Sequence, residues 1–296
     1  MRIVSLVPHA TELLFALELG EDVVGVTHEC DFPPEATELP SVTRNVLPEG
    51  LAPGEIDRAV RERSDAGESI YELDEEIVRE LEPDLIVTQA LCHVCAVSVD
   101  EVQALAQTLP GPPRVISLDP TTYGETLGDV RTVAQATDSR DAALDLIART
   151  ARRADIVRLA VRGAPRPRVA ALEWLDPVFV AGHWTPQLIE MAGGEDVLGF
   201  AGEPSRQATW EEVAAGRPEV VIVMPCGYDA ARALVEAEEF AAPLRSLGAD
   251  HVVAVNASAY FSRPGPRLAD GLELLAHILH PDRVPSAPAE ALAVAL

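Results

Sequence analysis

Short apolar runs alternate with longer amphipathic stretches from the first residues onward. Ile3-Val4-Ser5-Leu6-Val7 reads as a strand, Thr11 through Leu19 as a helix with a Thr11 cap and a Gly20 stop, and Val23-Val24-Gly25-Val26 as a second strand. The alternation continues. A helix over Asp74 to Leu81 precedes the strand Leu85-Ile86-Val87-Thr88, and a helix over Val99 to Leu109 precedes Val115-Ile116-Ser117-Leu118. Strands separated by helices predict parallel sheets with both faces covered. From Thr122 to Val161 the pattern changes to an Ala-, Leu-, Arg- and Asp-rich stretch without proline, with helical spacing in Leu144, Ile147, Ala151, Ala154 and Leu159. This predicts one long helix, broken by Gly163-Ala164-Pro165-Arg166-Pro167. Beyond it the strand and helix grammar restarts with Val169 to Leu172, Pro186 to Ala192, Val220 to Val223, Ala230 to Ala237, Val252 to Val255 and a last helix over Arg267 to Leu279.

The expected architecture is therefore α/β, with two lobes joined by one long α-helix. The expected boundaries are 1–125 for the N-terminal lobe, 126–163 for the connecting helix, 164–285 for the C-terminal lobe and 286–296 for a frayed tail. A length of 296 residues, beyond what one core usually supports, agrees with two domains. The halves share a local plan, in which a helix, a Pro-containing loop and a strand follow one another in Leu81-Glu82-Pro83-Asp84-Leu85 and in Gly216-Arg217-Pro218-Glu219-Val220.

Charge narrows the partners. The chain carries 23 basic and 48 acidic residues, a net charge of -25, and all its basic side chains apart from histidine are arginine. Such a surface repels phosphate backbones and anionic headgroups, so nucleic acid is excluded as a partner. No apolar stretch approaches the roughly 20 residues that span a bilayer. The start reads directly as a strand without a signal-peptide pattern, which as written predicts a cytoplasmic protein, or an extracytoplasmic one if an export signal precedes it.

Several segments together resemble the helical-backbone (class III) solute-binding proteins of ABC importers, most closely those that bind cobalamin. Arg2 through Leu13 is similar to the family's opening strand, Pro turn and Thr-Glu helix start, and Val24-Gly25-Val26 with Asp31-Phe32-Pro33-Pro34 to its second strand and loop. Phe179-Val180-Ala181-Gly182, Gly193-Gly194-Glu195-Asp196-Val197 and Tyr260 through Arg267 match further landmarks. The resemblance implies two Rossmann-like lobes joined by one long α-helix with a ligand cleft between them, in a monomeric, non-enzymatic binding protein that carries a metal-chelate nutrient such as cobalamin or another corrinoid to a permease and ATPase, with no built-in cofactor. It also implies importer docking through one acidic residue on each lobe, at Glu76 and Glu211. The alternative is a cytoplasmic metal-dependent or redox enzyme, or a corrinoid chaperone, on the same scaffold. No GxSxG, P-loop, HExxH or strand-following GxGxxG supports it.

Ligands of open α/β sheets bind beyond the carboxyl ends of strands. The loops expected there supply His9, His28, Cys30, Gln89, Cys92, His93, Cys95, Glu173, Trp174, His183, Trp184, Cys226, Tyr228, Tyr260 and Phe261 as ligand-binding candidates. Neutral imidazole is a common metal ligand, so His28, His93 and His183 rank equally as contacts to a chelated metal. The Cys92-His93-Val94-Cys95 run could be structural, metal-contacting or redox-active, since a closed zinc site needs four ligands and no second CxxC exists. Aromatics make up only 4% of the chain, and Gln89 and Ser205 stand where the resemblance implies stacking residues.

The acid excess reads as adaptation to high salt; a GC-rich genome would account for the missing lysines but not for the acids. Salt shortens the Debye length from about 10 Å at 0.1 M to about 3 Å at 1 M and so screens self-repulsion. The thermal unfolding midpoint is expected to be higher in molar KCl than in dilute buffer, and equal midpoints would overturn the halophilic reading.

Overall fold

The computed structural model describes residues 1–48, 50–66, 68–90 and 97–296. The chain divides into two compact units. Unit 1 comprises residues 1–120 and 125–147; unit 2 comprises 121–124 and 148–296.

Unit 1 is built on a parallel sheet of β1 (Ile3–Ser5), β2 (Val23–Gly25), β5 (Leu85–Thr88) and β6 (Arg114–Ser117), in the order β2-β1-β5-β6. Between them run α1 (Pro8–Ala16), a side hairpin of β3 (Thr43–Asn45) and β4 (Tyr71–Leu73) that flanks α2 (Pro53–Asp65), then α3 (Glu75–Leu81) and α4 (Val99–Thr108). The continuous apolar runs have a simple cause. Alternate residues of a strand point to opposite faces, and here both faces are buried: Ile3, Leu85 and Val87 enter a core with Leu13, Leu14 and Leu17 of the α1 region, while Val4 and Ile86 enter a second core with Val78, Val102 and Leu105. α1 begins at Pro8, whose missing N–H would be unpaired there in any case, and the Asp74 carboxylate accepts the Ile77 N–H to cap α3. By contrast, none of the residues of α2 is buried.

The expected single connecting helix is instead two. α5 (Tyr123–Thr137) and α6 (Arg140–Ala160) are separated at Asp138, which adopts a left-handed φ of 58°. The apolar spacing runs through this break because Val130, Val133, Ala134, Ala143 and Leu146 all bury against one core of unit 1, so the periodicity reports a shared destination and not a continuous helix. Asp tolerates the left-handed conformation better than most residues, and Ser139 restarts α6 by accepting the Ala143 N–H on its carbonyl.

Unit 2 holds a larger mixed sheet. β7 (Arg168–Leu175), β11 (Val220–Val223) and β12 (His251–Val255) are parallel, with Leu172, Val223 and Ala254 in register. β8 (Val178–Val180) returns antiparallel along β7; β9 (Glu195–Asp196) and β10 (Arg206–Gln207) extend the sheet on that side. Helices α7 (Thr185–Met191), α8 (Trp210–Ala215), α9 (Ala230–Glu239), α10 (Ala241–Ser246), a turn α11 (Ala257–Tyr260) and α12 (Leu268–Leu279) complete it. The final segment is not wholly frayed, as expected from its composition: β13 (Ala291–Ala293) pairs antiparallel with β12, and Val294 joins the core. Alanine-rich sequence carries little strand signal, and pairing against β12 overrides it.

Within unit 2 the Arg153 guanidinium of α6 donates to both carboxylate oxygens of Glu273, at 2.7 and 2.8 Å, and also to Asp270, joining α6 to α12. These bonds, Glu273 first, hold Arg153 charged well beyond its usual range. Arg153→Ala leaves two partly buried carboxylates facing each other, and its cost is expected to be about 1–3 kcal/mol. A lowered melting midpoint in a thermal scan checks this; an unchanged midpoint would show the fork to be dispensable.

Candidate functional site

In unit 1 the parallel strands end together, so their following loops share one edge. His9 lies in the first turn of α1, buried; His28 follows β2 and is exposed; Gln89 follows β5 and is buried. Cys92, His93 and Cys95 lie outside the described residues. His28 is held firmly: its Nδ1 is 2.8 Å from the Thr43 hydroxyl, which also accepts the His28 main-chain N–H at 3.2 Å. Tyr71 sits with its ring centroid 5.1 Å from the imidazole, and its hydroxyl donates to Glu29 at 2.7 Å. Partial loss of water around the ring lowers the His28 pKa, with Glu29 and Thr43 pulling the other way. Cys30 faces inward. Its sulfur is 3.1 Å from the hydroxyls of both Thr11 and Thr27, and the residue is part of the unit 1 core. Thr11 in turn donates to Ser5 at 2.8 Å. Beside this edge, Asp119 accepts from Ala90 N–H and from the Ser117 hydroxyl, and the neighbouring Asp129 is pushed up to about 7 by burial, with Asp119 and Glu125 adding to the effect.

In unit 2, β7 runs past the ends of its neighbours, so Glu173 and Trp174 project alongside the turn after β11 and the segment after β12. Cys226 N–H donates to the Glu173 carbonyl at 3.1 Å, and Ser258 N–H to the Tyr228 carbonyl at 3.0 Å, which ties the three loops together. Cys226 and Tyr260 are the accessible members here: Cys226 is exposed and Tyr260 half-buried. Glu173 is pushed up to about 7 by burial, with a hydrogen bond from Ser205 pulling the other way. Ser205 also accepts the Gly182 N–H at 3.1 Å, where a Cβ on Gly182 would lie only 2.4 Å from the Ser205 main chain. Glycine is required for that crossing.

His183 and Trp184 sit differently from the expectation. β8 is antiparallel, with Val178 opposite Leu175 and Val180 opposite Leu172, so the chain reaches His183 while travelling away from the edge where β7 ends. The carboxyl-end rule applies to parallel strands and does not place this loop. His183 has φ 52°, its ring stacks on Trp184 at 5.5 Å, and its Nδ1 is buried without a hydrogen-bond partner among the described residues. Trp184 is buried and donates its indole N–H to the Phe261 carbonyl at 2.7 Å, and Phe261 is buried too. Tyr228 is likewise wrapped: Trp174 meets it edge-on at 5.5 Å and the Arg232 guanidinium lies 3.6 Å over its ring. These three aromatics pack the unit and offer little face to a ligand, whereas Trp174 and Tyr260 stay half-buried.

Glu76 and Glu211 are both exposed in the first turns of α3 and α8, each helix leading into a Pro-containing loop and a strand. Thr43, Tyr71 and Asp119 were not expected from the sequence, and Ser205 only as the occupant of a position where the resemblance implies a stacking residue. Asp119 follows β6 and was open to the same loop reasoning; the hairpin residues Thr43 and Tyr71 lie off the main sheet and carry no such signal. Among the described residues no group of three or more His, Cys, Asp or Glu side chains is arranged to hold a metal ion, and no helix is long and apolar enough to cross a membrane. Unit 1 thus offers an oriented imidazole at His28, and unit 2, by itself, two half-covered aromatic faces at Trp174 and Tyr260.

The periplasmic binding protein family matches residues 3–256. The chain belongs to the periplasmic binding protein family. Among curated relatives, the vitamin B12-binding protein of Vibrio cholerae is 23% identical over 292 residues, covering 92% of this chain and 86% of its own. That of Pectobacterium atrosepticum is 26% identical over 276 residues, with 90% and 84% covered. Solved structures agree on the two-lobed α/β fold. The periplasmic vitamin B12-binding protein of Vibrio cholerae superposes with a TM-score of 0.67 at 22% identity, covering 94% and 96% of the two chains. The periplasmic heme-binding protein of Roseiflexus sp. RS-1 does so with 0.67 at 24% identity, covering 96% and 98%. These relatives are binding proteins, which does not favour the enzyme alternative.

The Tyr228 environment carries a testable charge effect. Glu236 of α9 is buried, neither carboxyl oxygen has a hydrogen bond of normal geometry among the described residues, and burial pushes it up to about 7 from an ordinary 4.5, with Arg232 and Tyr228 pulling only partly back. Between those values the unfolded chain releases its proton while the folded chain keeps it, so stability falls as pH rises through this window and then levels off. Glu236→Gln removes the penalty and is expected to be roughly 1–2 kcal/mol more stable than the native chain at pH 8, the two converging at acid pH. Denaturant unfolding at several pH values measures this, and a difference independent of pH would show that Glu236 does not titrate as described.

Proposed function

We infer that this chain is a solute-binding protein that carries a metal-chelate nutrient, a corrinoid or a related macrocycle, to an ABC importer outside the cytoplasmic membrane. The observation that carries the reading is the family match across residues 3–256 joined to similarity with vitamin B12-binding proteins over about nine-tenths of the chain. Because the family is periplasmic, the cytoplasmic expectation is dropped. The chelate is cargo, with no resident cofactor and no enzymatic step. The half-buried Trp174 and Tyr260 supply flat apolar surface to a macrocycle, and the loop histidines supply nitrogen donors to its metal. Glu76 and Glu211 serve as contacts to arginines of the membrane subunits, and the binding protein acts as a monomer.

The low aromatic content leaves cobalamin, cobinamide and heme in competition as cargo. Purified protein titrated with each, and with an iron siderophore, is expected to bind at least one of the macrocycles at micromolar concentration or tighter, read from the absorbance of the chelate. Binding of none of the four would overturn the metal-chelate reading.

A further inference from the structure

His28 and His183 are not equivalent as metal ligands. A ligating imidazole is ordinarily anchored through its other ring nitrogen, which fixes both the tautomer and the direction of the lone pair. His28 has such an anchor and His183 does not. The Thr43 hydroxyl lies 2.8 Å from His28 Nδ1 and also accepts the His28 main-chain N–H at 3.2 Å. Coordination through Nε2 places the proton of the neutral ring on Nδ1, where the Thr43 hydroxyl can accept it. Nε2 has no hydrogen-bond partner among the described residues. The recess beside the ring, bounded by Leu6, Pro8, Thr27, Glu29, Tyr71 and Val97, holds about 10 Å³, roughly the space of one water. The ring is anchored on its Nδ1 side and remains exposed. His183, in contrast, buries its Nδ1 without a partner among the described residues and sits in a left-handed loop after an antiparallel strand.

We propose that His28 coordinates the metal of the bound chelate through Nε2, and that Thr43 is the positioning residue that presents it. The coordination step is a ligand exchange: the imidazole lone pair forms the bond to the metal, a weakly held water leaves, and no electrons are transferred. The inference rests on the metal-chelate reading above and names the contact within that site. It also assigns a purpose to the β3–β4 hairpin, since Thr43 and Tyr71 stand at opposite ends of its register, with Thr43 paired to Leu73 and Tyr71 to Asn45.

The test uses the intact protein with aquocobalamin, diaquocobinamide and ferric heme, following the visible spectrum for replacement of metal-bound water by imidazole. The native protein and His183→Ala are expected to show the imidazole spectrum, and His28→Ala to lose it. Thr43→Val is expected to weaken the coordinated complex about 10-fold or more, and Thr43→Ser, which keeps the hydroxyl, to restore it. That rescue separates positioning from a folding defect. An imidazole spectrum that survives in His28→Ala, or a Thr43→Val complex equal to the native one, overturns the proposal. A native complex that retains metal-bound water overturns it while leaving the binding function standing, whereas failure of the native protein to bind any of the three overturns both.

Discussion

The parallel pairing of β1 between β2 and β5, and of β11 between β7 and β12, decides where everything else falls. A parallel strand must be followed by a crossover before its neighbour, and the crossover helices cover both faces of the sheet. Two results follow at once. Strand residues of either parity must be apolar, which is why Ile3 and Val4 serve different cores. The loops that leave the strands are delivered to one edge, where the chain can place polar chemistry without disturbing the interior. The sheet is thus both the source of stability and the jig for the site.

Polar groups at these edges are tuned mostly by loss of water. Burial is the leading cause of the downward shifts of His28 and His183 and of the upward shifts of Glu173, Asp129 and Glu236. In a chain of net charge -25 this has a particular use. Carboxyls that would add to the negative field are held near neutrality close to the edges, while the exposed acids remain charged and solvated. Neutral imidazole and neutral carboxyl are both favoured by the same dry surroundings, so packing alone keeps the donor nitrogens available.

Much of the fold was legible because buried strands and amphipathic helices leave periodic traces, and the strands from Ile3 to Val255 fall close to where the apolar runs stand. The failures are equally physical. Asp138 turns the chain without interrupting the apolar spacing, since both helices bury against one core. His183 follows an antiparallel strand, and antiparallel pairing is not visible in a short apolar run such as Val178–Val180. Tyr228 and Phe261 sit in loops by sequence yet are buried in the structure, because a loop at a sheet edge can fold back onto the core. Thr43 and Tyr71 escaped notice because their role depends on a hairpin whose strands lie 25 or more positions apart in sequence, a relation no local pattern encodes.

The division of the chain between its units has a consequence for how such proteins can be recombined. The chain passes from unit 1 to unit 2 at Thr121, returns at Glu125 and leaves again after Ile147, inside α6. Tyr123 N–H donates to the Gln187 side chain at 2.8 Å, so even the short excursion is fastened to unit 2. A chimaera that exchanges one unit for that of a relative therefore cannot be spliced at a surface loop. A join at Gly163 would carry Ala148 onward into the wrong partner, and a join before Thr121 would strip Val130, Val133 and Leu146 from the core they complete. The crossover point that respects both interiors lies within a helix, where the reading of the two parental sequences must stay in phase through successive turns.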